Sequence, residues 1–377
     1  MLEYAVADQF DWDEFVELHW DRRPVHYRGV GVAPFDQTST FRAAVGAAPV
    51  DVRLTLDQVR QSAPQPWLPV ASDGSWDGYQ RRMAVILPDR RHALMINRFH
   101  RFDRAMWNRE RDFYSELWKR VGLPLDSAIT TLFHGDYEHS PVGVHKDRFA
   151  TFMFPLRGRK RMRFWADRPW SEPVSTQADY ASYLEMSFAV DVEPGDVLYW
   201  PSRYYHVGET TGAATSINVG VAREEHLTAY EIDDIVAVSS ADAVTSTAMP
   251  PQPRATVDPR RIAEVSLRRL TAAGFEPAPE PRSANMSLDG VVLQGNSRFP
   301  VRWTAVPDGC VCGVDGHTIY TPLPAETVAP VIAQLATGTR TNPAALVARA
   351  RPDERTEIES LLNELVSRGV AIAAADG

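Results

Sequence analysis

The spacing of hydrophobic positions changes character several times along this chain. Near the start, DQFDWDEFVELHW (8–20) repeats apolar residues at helical intervals and predicts a helix with Phe10, Phe15 and Leu18 on one side. Residues 24–30 read as a short strand. The stretch 62–78 is rich in turn formers and reads as a surface loop. Over 103–121 the helical pattern returns, with Asp103 as cap, Met106, Phe113, Leu117 and Val121 apolar, and Gly122 and Pro124 as the stop. From Ser127 to Val221 the signal shifts to strands over 128–133, 150–156, 160–165, 187–192, 196–200 and 215–221, with glycine or proline between them. Many short strands without intervening helices predict an antiparallel sandwich or barrel.

Helical character resumes over 223–238. A small, polar, proline-rich run then predicts a linker at 239–259. Beyond it come a helix over 260–273, a hairpin over 311–320 turning at Asp315-Gly316, and helical segments over 325–336, 342–350 and 353–368. Pro352 precedes the last segment, Arg368 lies in its final turn and Gly369 follows it, all of which suit helix ends. The expected organisation is an N-terminal helical and strand region supporting the core (1–126), a strand-rich core (127–222), a helix and linker (223–259) and a small α+β unit (260–377).

Charge narrows the choice of partners. There are 40 basic and 49 acidic residues, a net charge of −9, which disfavours nucleic-acid binding because that rests on neutralising phosphates. From residue 257 onward twelve arginines and no lysine face fourteen acids. No apolar run approaches the roughly 18–20 residues of a membrane span. The acidic start lacks the pattern of a secretory signal, so the expectation is a cytoplasmic protein with no membrane partner. Cys310 and Cys312 read as two reduced thiols on one face of a strand. Only His317 is near enough in sequence to add a metal ligand, and a metal site needs more.

The strand-rich block holds His145-Lys146-Asp147 and, later, His206 at the end of PGDVLYWPSRYYH. On a strand, positions i and i+2 share a face, so His145 and Asp147 would present an imidazole and a carboxylate together. A second histidine from a neighbouring strand end completes two histidines and one carboxylate. This set leaves open positions on a metal and suits non-haem iron(II) oxygenases. The strand at 160–165 sorts by alternation: Lys160, Met162 and Phe164 share one face, and Arg159, Arg161 and Arg163 the other. A lysine among apolar residues on a core face needs a buried anion. The arginines read as a solvated face.

Together, His145-x-Asp147, Leu156-x-Gly158-x-Lys160, Gly195-Asp196-x-Leu198-x-x-Pro201, His206 and Ile217-Asn218-Val219 resemble the JmjC-type double-stranded β-helix. This is the cupin-like, jelly-roll branch of the iron(II) and 2-oxoglutarate oxygenases, and the likeness is to its ribosomal oxygenases and asparaginyl hydroxylases. The resemblance implies a mainly β fold with helices. It implies iron(II) on His145, Asp147 and His206, 2-oxoglutarate as co-substrate anchored by Lys160, and dioxygen as oxidant. Thr151 and Asn218 resemble the family's polar positions beside the co-substrate. The implied activity is hydroxylation of a side-chain carbon in a protein or peptide. A free amino acid, a small natural product, or a zinc or non-catalytic cupin-type binding role are the alternatives.

The sequence departs from the family at Pro155, where a glutamine is common, and in lacking an obvious upstream co-substrate contact, for which Thr130, Thr131 and Tyr137 are candidates. His134, Asp136, Glu138 and His139 read as a loop shaping the substrate mouth rather than as ligands. Tyr204 and Tyr205 read as packing. Trp67, Trp76 and Tyr79 read as loop aromatics, able to cover the site or to pack on the surface. The C-terminal unit resembles a winged-helix domain, which implies dimer support, as in a homodimer, or docking of a substrate peptide.

Overall fold

The computed structural model describes residues 3–124, 127–222, 258–279, 288 and 291–373. The chain divides into two compact units, Met1–His226 and Leu227–Gly377.

The first unit is built on two facing sheets. Its strands are β1 (Ala5–Ala7), β2 (Val25–Tyr27), β3 (Val52–Leu56), β4 (Val59–Arg60), β5 (His92–Ile96), β6 (Ile129–Gly135), β7 (Phe149–Arg157), β8 (Lys160–Trp165), β9 (Phe188–Val192), β10 (Val197–Trp200), β11 (Tyr205–Thr210) and β12 (Ala214–Ala222). One sheet has nine strands in the order β1-β2-β10-β7-β12-β6-β5-β3-β4, and the other has three, β11-β8-β9. Met153, Leu198 and Trp200 from the large sheet pack with Met162, Phe164, Val190 and Val192 from the small one, so the sandwich interior is dry and aromatic. This is the expected double-stranded β-helix, widened by strands from the N-terminal region.

The outer face of the large sheet is covered by α1 (Trp12–Leu18) and α4 (Arg104–Val121), and α2 (Gln37–Val45) lies between them in the chain. Phe15 meets Tyr199 edge-on at 4.8 Å between ring centroids, and Tyr114 meets Phe152 at 5.4 Å. With one face on the helices and the other in the sandwich, β7 is buried along seven consecutive residues, Ala150–Leu156. Asp103 caps α4 by accepting from the Met106 amide at 2.8 Å, as its sequence predicts. The N-terminal helix is shorter than predicted. Asp11 caps it through the amides of Asp13 and Glu14, only Phe15 of its apolar residues is buried, and Leu18 is exposed.

The stretch read as a surface loop is more ordered than its composition suggests. It contains short 3₁₀ turns at Gln65–Trp67 and Ala71–Asp73 and then starts α3 (Trp76–Ile86), capped by Ser75. Trp76 and Tyr79 are core residues on that helix, with 1% and 0% of their surface exposed, so they do not cover the site. Asp196 lies in the turn before β10 rather than in the strand. One of its carboxylate oxygens sits 2.8 Å from His26 Nε2 on β2, and the other accepts from the Gly29 amide at 2.8 Å.

In the second unit a helix, Pro259–Ala272, packs through Ala263 and Leu267 on Val311 of a three-stranded antiparallel sheet. The strands are Arg302–Val306, Gly309–Val314 and His317–Thr321. Helices Ala325–Ala336, Pro343–Ala348 and Arg355–Arg368 close a separate core with Leu335, Leu346 and Leu362. The predicted turn residues Asp315 and Gly316 both have positive φ, which suits a two-residue hairpin. Cys310 and Cys312 are free thiols inside this core. His317 Nε2 is 2.8 Å from the Ala278 carbonyl. The predicted helix at 223–238 and the linker as far as 257 lie outside the described residues. Asp258 and Pro259 already belong to the following helix as its cap and first residue.

Candidate metal centre and co-substrate cavity

His206 lies on β11, and His145 meets it across an isolated antiparallel bridge without belonging to a regular strand of its own. The His145 amide donates to the His206 carbonyl at 3.1 Å, and the His206 amide donates back to His145 at 2.8 Å. The pair of backbone bonds sets the two imidazoles side by side, with ring centroids 4.5 Å apart. Asp147, two residues on, closes the set. Its carboxylate oxygens lie 3.6 Å from His145 Nε2 and 3.5 Å from His206 Nε2. All three donor atoms fall within 4.8 Å of one another. The two-residue spacing read from the sequence therefore works through extended backbone that is not part of a sheet.

Each imidazole is held from behind by the chain before it. His145 Nδ1 lies 2.9 Å from the Gly143 carbonyl, and His206 Nδ1 lies 3.3 Å from the Tyr204 carbonyl. A carbonyl only accepts, so each Nδ1 carries the proton and each Nε2 lone pair faces Asp147, the tautomer a metal ligand requires. Gly143 has φ +73, and a Cβ there would meet the Gln177 carbonyl at 2.5 Å, so only glycine fits this corner. Burial, with the neighbouring His206, holds the His145 imidazole below its usual pKa, keeping it neutral. Burial works to raise the Asp147 carboxyl. When the imidazoles carry an extra proton, the hydrogen bond and charge of His206, with His145, overcome that and hold it below the usual carboxylate range.

These residues line one wall of a cavity of about 510 Å³ that also takes in Lys160, Thr151 and Asn218. Lys160 is 4% exposed, and its ammonium donates to Ser216 Oγ at 2.9 Å. It stands 4.6 Å from the Phe133 ring centroid. Among the described residues it has no ion-pair partner, and burial pushes its pKa down to about 7. Asn218 points into the same space, and its Oδ1 is buried without a hydrogen-bond partner. A buried cation without an anion and a buried acceptor without a donor are both costly, and both aim into the cavity. A dicarboxylate with one end on a metal and the other on Lys160 would satisfy them, so the residues fit the groups that the resemblance implies.

The other sequence candidates separate cleanly. Thr131 and Tyr137 line the cavity. Thr130 faces away and donates to the buried Glu110 carboxyl. His134 bonds to Thr215 Oγ1 at 2.7 Å and stacks on Trp76, while Asp136 pairs with His92 at 3.0 Å. Glu138 borders a neighbouring pocket, and His139 a further one. None of these four joins the trio. The arginines read as a solvated face are matched across strands: Arg161 to Asp191 at 2.7 Å and Arg163 to Glu209 at 2.8 Å, the latter pair largely buried. Arg157 pairs with Asp77 at 2.6 Å.

Two contributors were missed. Ser216 holds the lysine; its signal is its i, i+2 relation to Asn218. Gly208 lies on β11 against the lysine stem, and a glycine inside a strand signals such a close approach.

Residues 114–229 match the family model described as the JmjC domain. This segment is similar to a JmjC domain. The matched segment spans β6 to β12 and contains the whole trio and Lys160. Ribosomal oxygenase 1 of Gallus gallus is 24% identical over 237 residues, which cover 58% of this chain. The chain spans 37% of the length of that relative. Among solved structures, E. coli ycfD is similar over 99% of this chain and all of its own, at 16% identity and a TM-score of 0.47. YcfD, a ribosomal oxygenase from E. coli solved in complex with cobalt and 2-oxoglutarate, matches over 97% of this chain and 99% of its own, at 16% identity and a TM-score of 0.48.

Proposed function

We propose that this protein is an iron(II)- and 2-oxoglutarate-dependent oxygenase that hydroxylates a side-chain carbon in a protein or peptide. The observation that carries the proposal is Lys160, an ammonium buried without an anion in the cavity that also holds His145, Asp147 and His206. The trio alone would suit several metals and roles. A zinc-dependent or non-catalytic cupin has no use for the lysine.

In this proposal His145, Asp147 and His206 hold iron(II), and Lys160 takes the far carboxylate of 2-oxoglutarate. Iron with 2-oxoglutarate and dioxygen supplies the oxidation of an unactivated C–H bond to an alcohol, with succinate and carbon dioxide as co-products. The chain's own work is positioning. The Gly143 and Tyr204 carbonyls fix the imidazole tautomers. Ser216 and the Phe133 ring hold the ammonium in place. Thr151 and Asn218 offer polar contacts to the co-substrate. Met162 lines the cavity and packs behind it against the apolar core with Met153 and Phe164, which keeps water out on that side.

A protein or peptide substrate agrees with the name of the Gallus gallus relative and with a cavity of about 510 Å³, larger than one co-substrate needs. A free amino acid or small natural product is the second reading of the substrate. For the C-terminal unit we propose a winged-helix-like domain that docks substrate or supports a dimer. Its helices Pro343–Ala348 and Arg355–Arg368 and the strand pair Val292–Gln294 with Ala371–Ala373 support that reading. No helix among the described residues is long and apolar enough to cross a membrane, and the proposed location is the cytoplasm.

Succinate formation tests the proposal. The purified protein with iron(II), ascorbate and 2-oxoglutarate should release succinate above a metal-free control, even without substrate. No succinate with iron bound would overturn it.

A further inference from the structure

We infer that the mouth of the cavity recognises an acidic residue of the substrate peptide, several residues away from the one that is hydroxylated. This inference rests on the oxygenase reading above and deepens it by naming the substrate class.

The inner face of the nine-stranded sheet runs without a break from the proposed co-substrate site to the edge of the sheet. Asn218 on β12 pairs with Thr131 on β6, and one pair along that strand Phe133 faces Met95 on β5. Met95 in turn faces Arg53 on β3, and Thr55 faces Arg60 on β4. Arg53 and Thr55 are two apart and share the inner face. All of these residues line the cavity. Arg53 and Arg60 are both exposed at its outer end.

Among the described residues neither guanidinium has a hydrogen-bond or ion-pair partner. The acids nearest in sequence are committed elsewhere: Asp51 to Arg98 at 2.6 Å and Asp57 to Arg90 at 2.7 Å. Among the described residues that line the cavity Asp147 is the only carboxylate, and it belongs to the trio. With Lys160 assigned to the co-substrate, two positive charges remain at the mouth of a protein whose net charge is −9. A guanidinium is a fork matched to carboxylate, so the ligand these charges call for is Asp or Glu.

Distance then separates a peptide from a free amino acid. Adjacent strands lie about 4.8 Å apart, which puts β3 and β4 roughly 14–19 Å from β12. An extended chain covers about 3.3 Å per residue, so the acidic side chain sits about four to six residues from the modified carbon. A single amino acid cannot bridge that gap.

The test uses two pools of fluorescein-labelled random peptides of equal length, one enriched in Asp and Glu, the other in Lys and Arg. Binding is read by anisotropy with manganese(II) and 2-oxoglutarate present. The native protein should bind the acidic pool at least tenfold more tightly, with affinity falling as salt rises. Charge reversal at both positions, R53E with R60E, should invert the preference. The milder pair R53Q with R60Q should abolish it and guards against a folding failure. R159E, on the far side of β8, should leave it unchanged. Equal binding of the two pools, a native preference for the basic pool, or R53E/R60E retaining native affinity for the acidic pool would each overturn the inference. Succinate formation by the native protein is measured in parallel. Charge preference without succinate sinks the oxygenase reading alone, and succinate without charge preference sinks only this one.

Discussion

Gly208 lies against the side chain of Lys160: a Cβ at position 208 would stand 3.1 Å from the lysine Cε and 3.7 Å from Nζ. The lysine reaches Ser216 because β11 carries no side chain at the point where the stem passes beneath it. Gly208→Val should therefore displace the ammonium while leaving the trio in place. The expected outcome is about tenfold weaker 2-oxoglutarate binding with metal affinity unchanged, read by tryptophan quenching and metal titration. Equal loss of both would mean that the strand itself has collapsed.

Removing the ammonium outright should cost more. A hydrogen bond to a charged group contributes about 1.5–3 kcal/mol, so Lys160→Ala should weaken 2-oxoglutarate about ten- to hundred-fold. Metal should still bind, because the trio is built by other strands. An unchanged apparent affinity would place the anchor elsewhere.

Co-substrate binding should depend on pH in a direction set by the buried lysine. Its pKa is pushed down to about 7 by burial, so the free protein loses the ammonium as pH rises past neutrality. A dicarboxylate binds the charged form, and binding above pH 7 must therefore take up a proton. Affinity measured with manganese(II) should fall from pH 7 to 9, by up to about tenfold per unit. Lys160→Arg, charged throughout, should flatten the profile. A flat profile in the native protein would show that the lysine is already charged before the co-substrate arrives.

The trio makes the plainest prediction. Losing an outer partner of a ligand costs roughly 10–100-fold in metal affinity, and losing a ligand should exceed that. His145→Ala and His206→Ala should each abolish succinate release and leave iron bound too weakly to survive gel filtration. Native-level succinate from either variant would dismiss the assignment.

A fifth expectation concerns stability away from the cavity. Burial pushes the Glu110 carboxyl up to about 8, and Thr130 donates to it. Between its ordinary value of 4.5 and about 8 the folded protein keeps a proton that the unfolded chain has released. Stability must then fall as pH rises through that window. Glu110→Gln, neutral at every pH, should flatten the decline of Tm between pH 5 and 8. Parallel Tm profiles for the two proteins would contradict this origin.

The site was legible in the sequence wherever one spacing rule decides the geometry. A single residue separates His145 from Asp147, and alternation alone turns Lys160, Met162 and Phe164 inward. Asn218 follows from the same rule on β12. What escaped depends on pairing between distant strands. Ser216 shares a face with Asn218, but only the pairing of distant strands brings that face to Lys160 across the sandwich. Arg53 and Arg60 become part of the cavity only because β3, β5 and β6 join one sheet. The segment VRLTL does alternate as a strand should, whereas HALMI is apolar after His92 and its strand is buried at every position but Met95. Trp76 and Tyr79 were hidden among turn formers, because a helix starting at Ser75 reuses residues whose composition marks a loop.

The clamp between His26 and Asp196 joins positions 170 residues apart in sequence. β2 leaves the ribosome early, yet its partner β10 follows only after most of the unit has been made. At about 5–20 residues per second that wait is roughly 10–30 s, with an apolar strand edge exposed throughout. His206 emerges later still. Assembly of the two imidazoles is thus a late event in the life of the nascent chain.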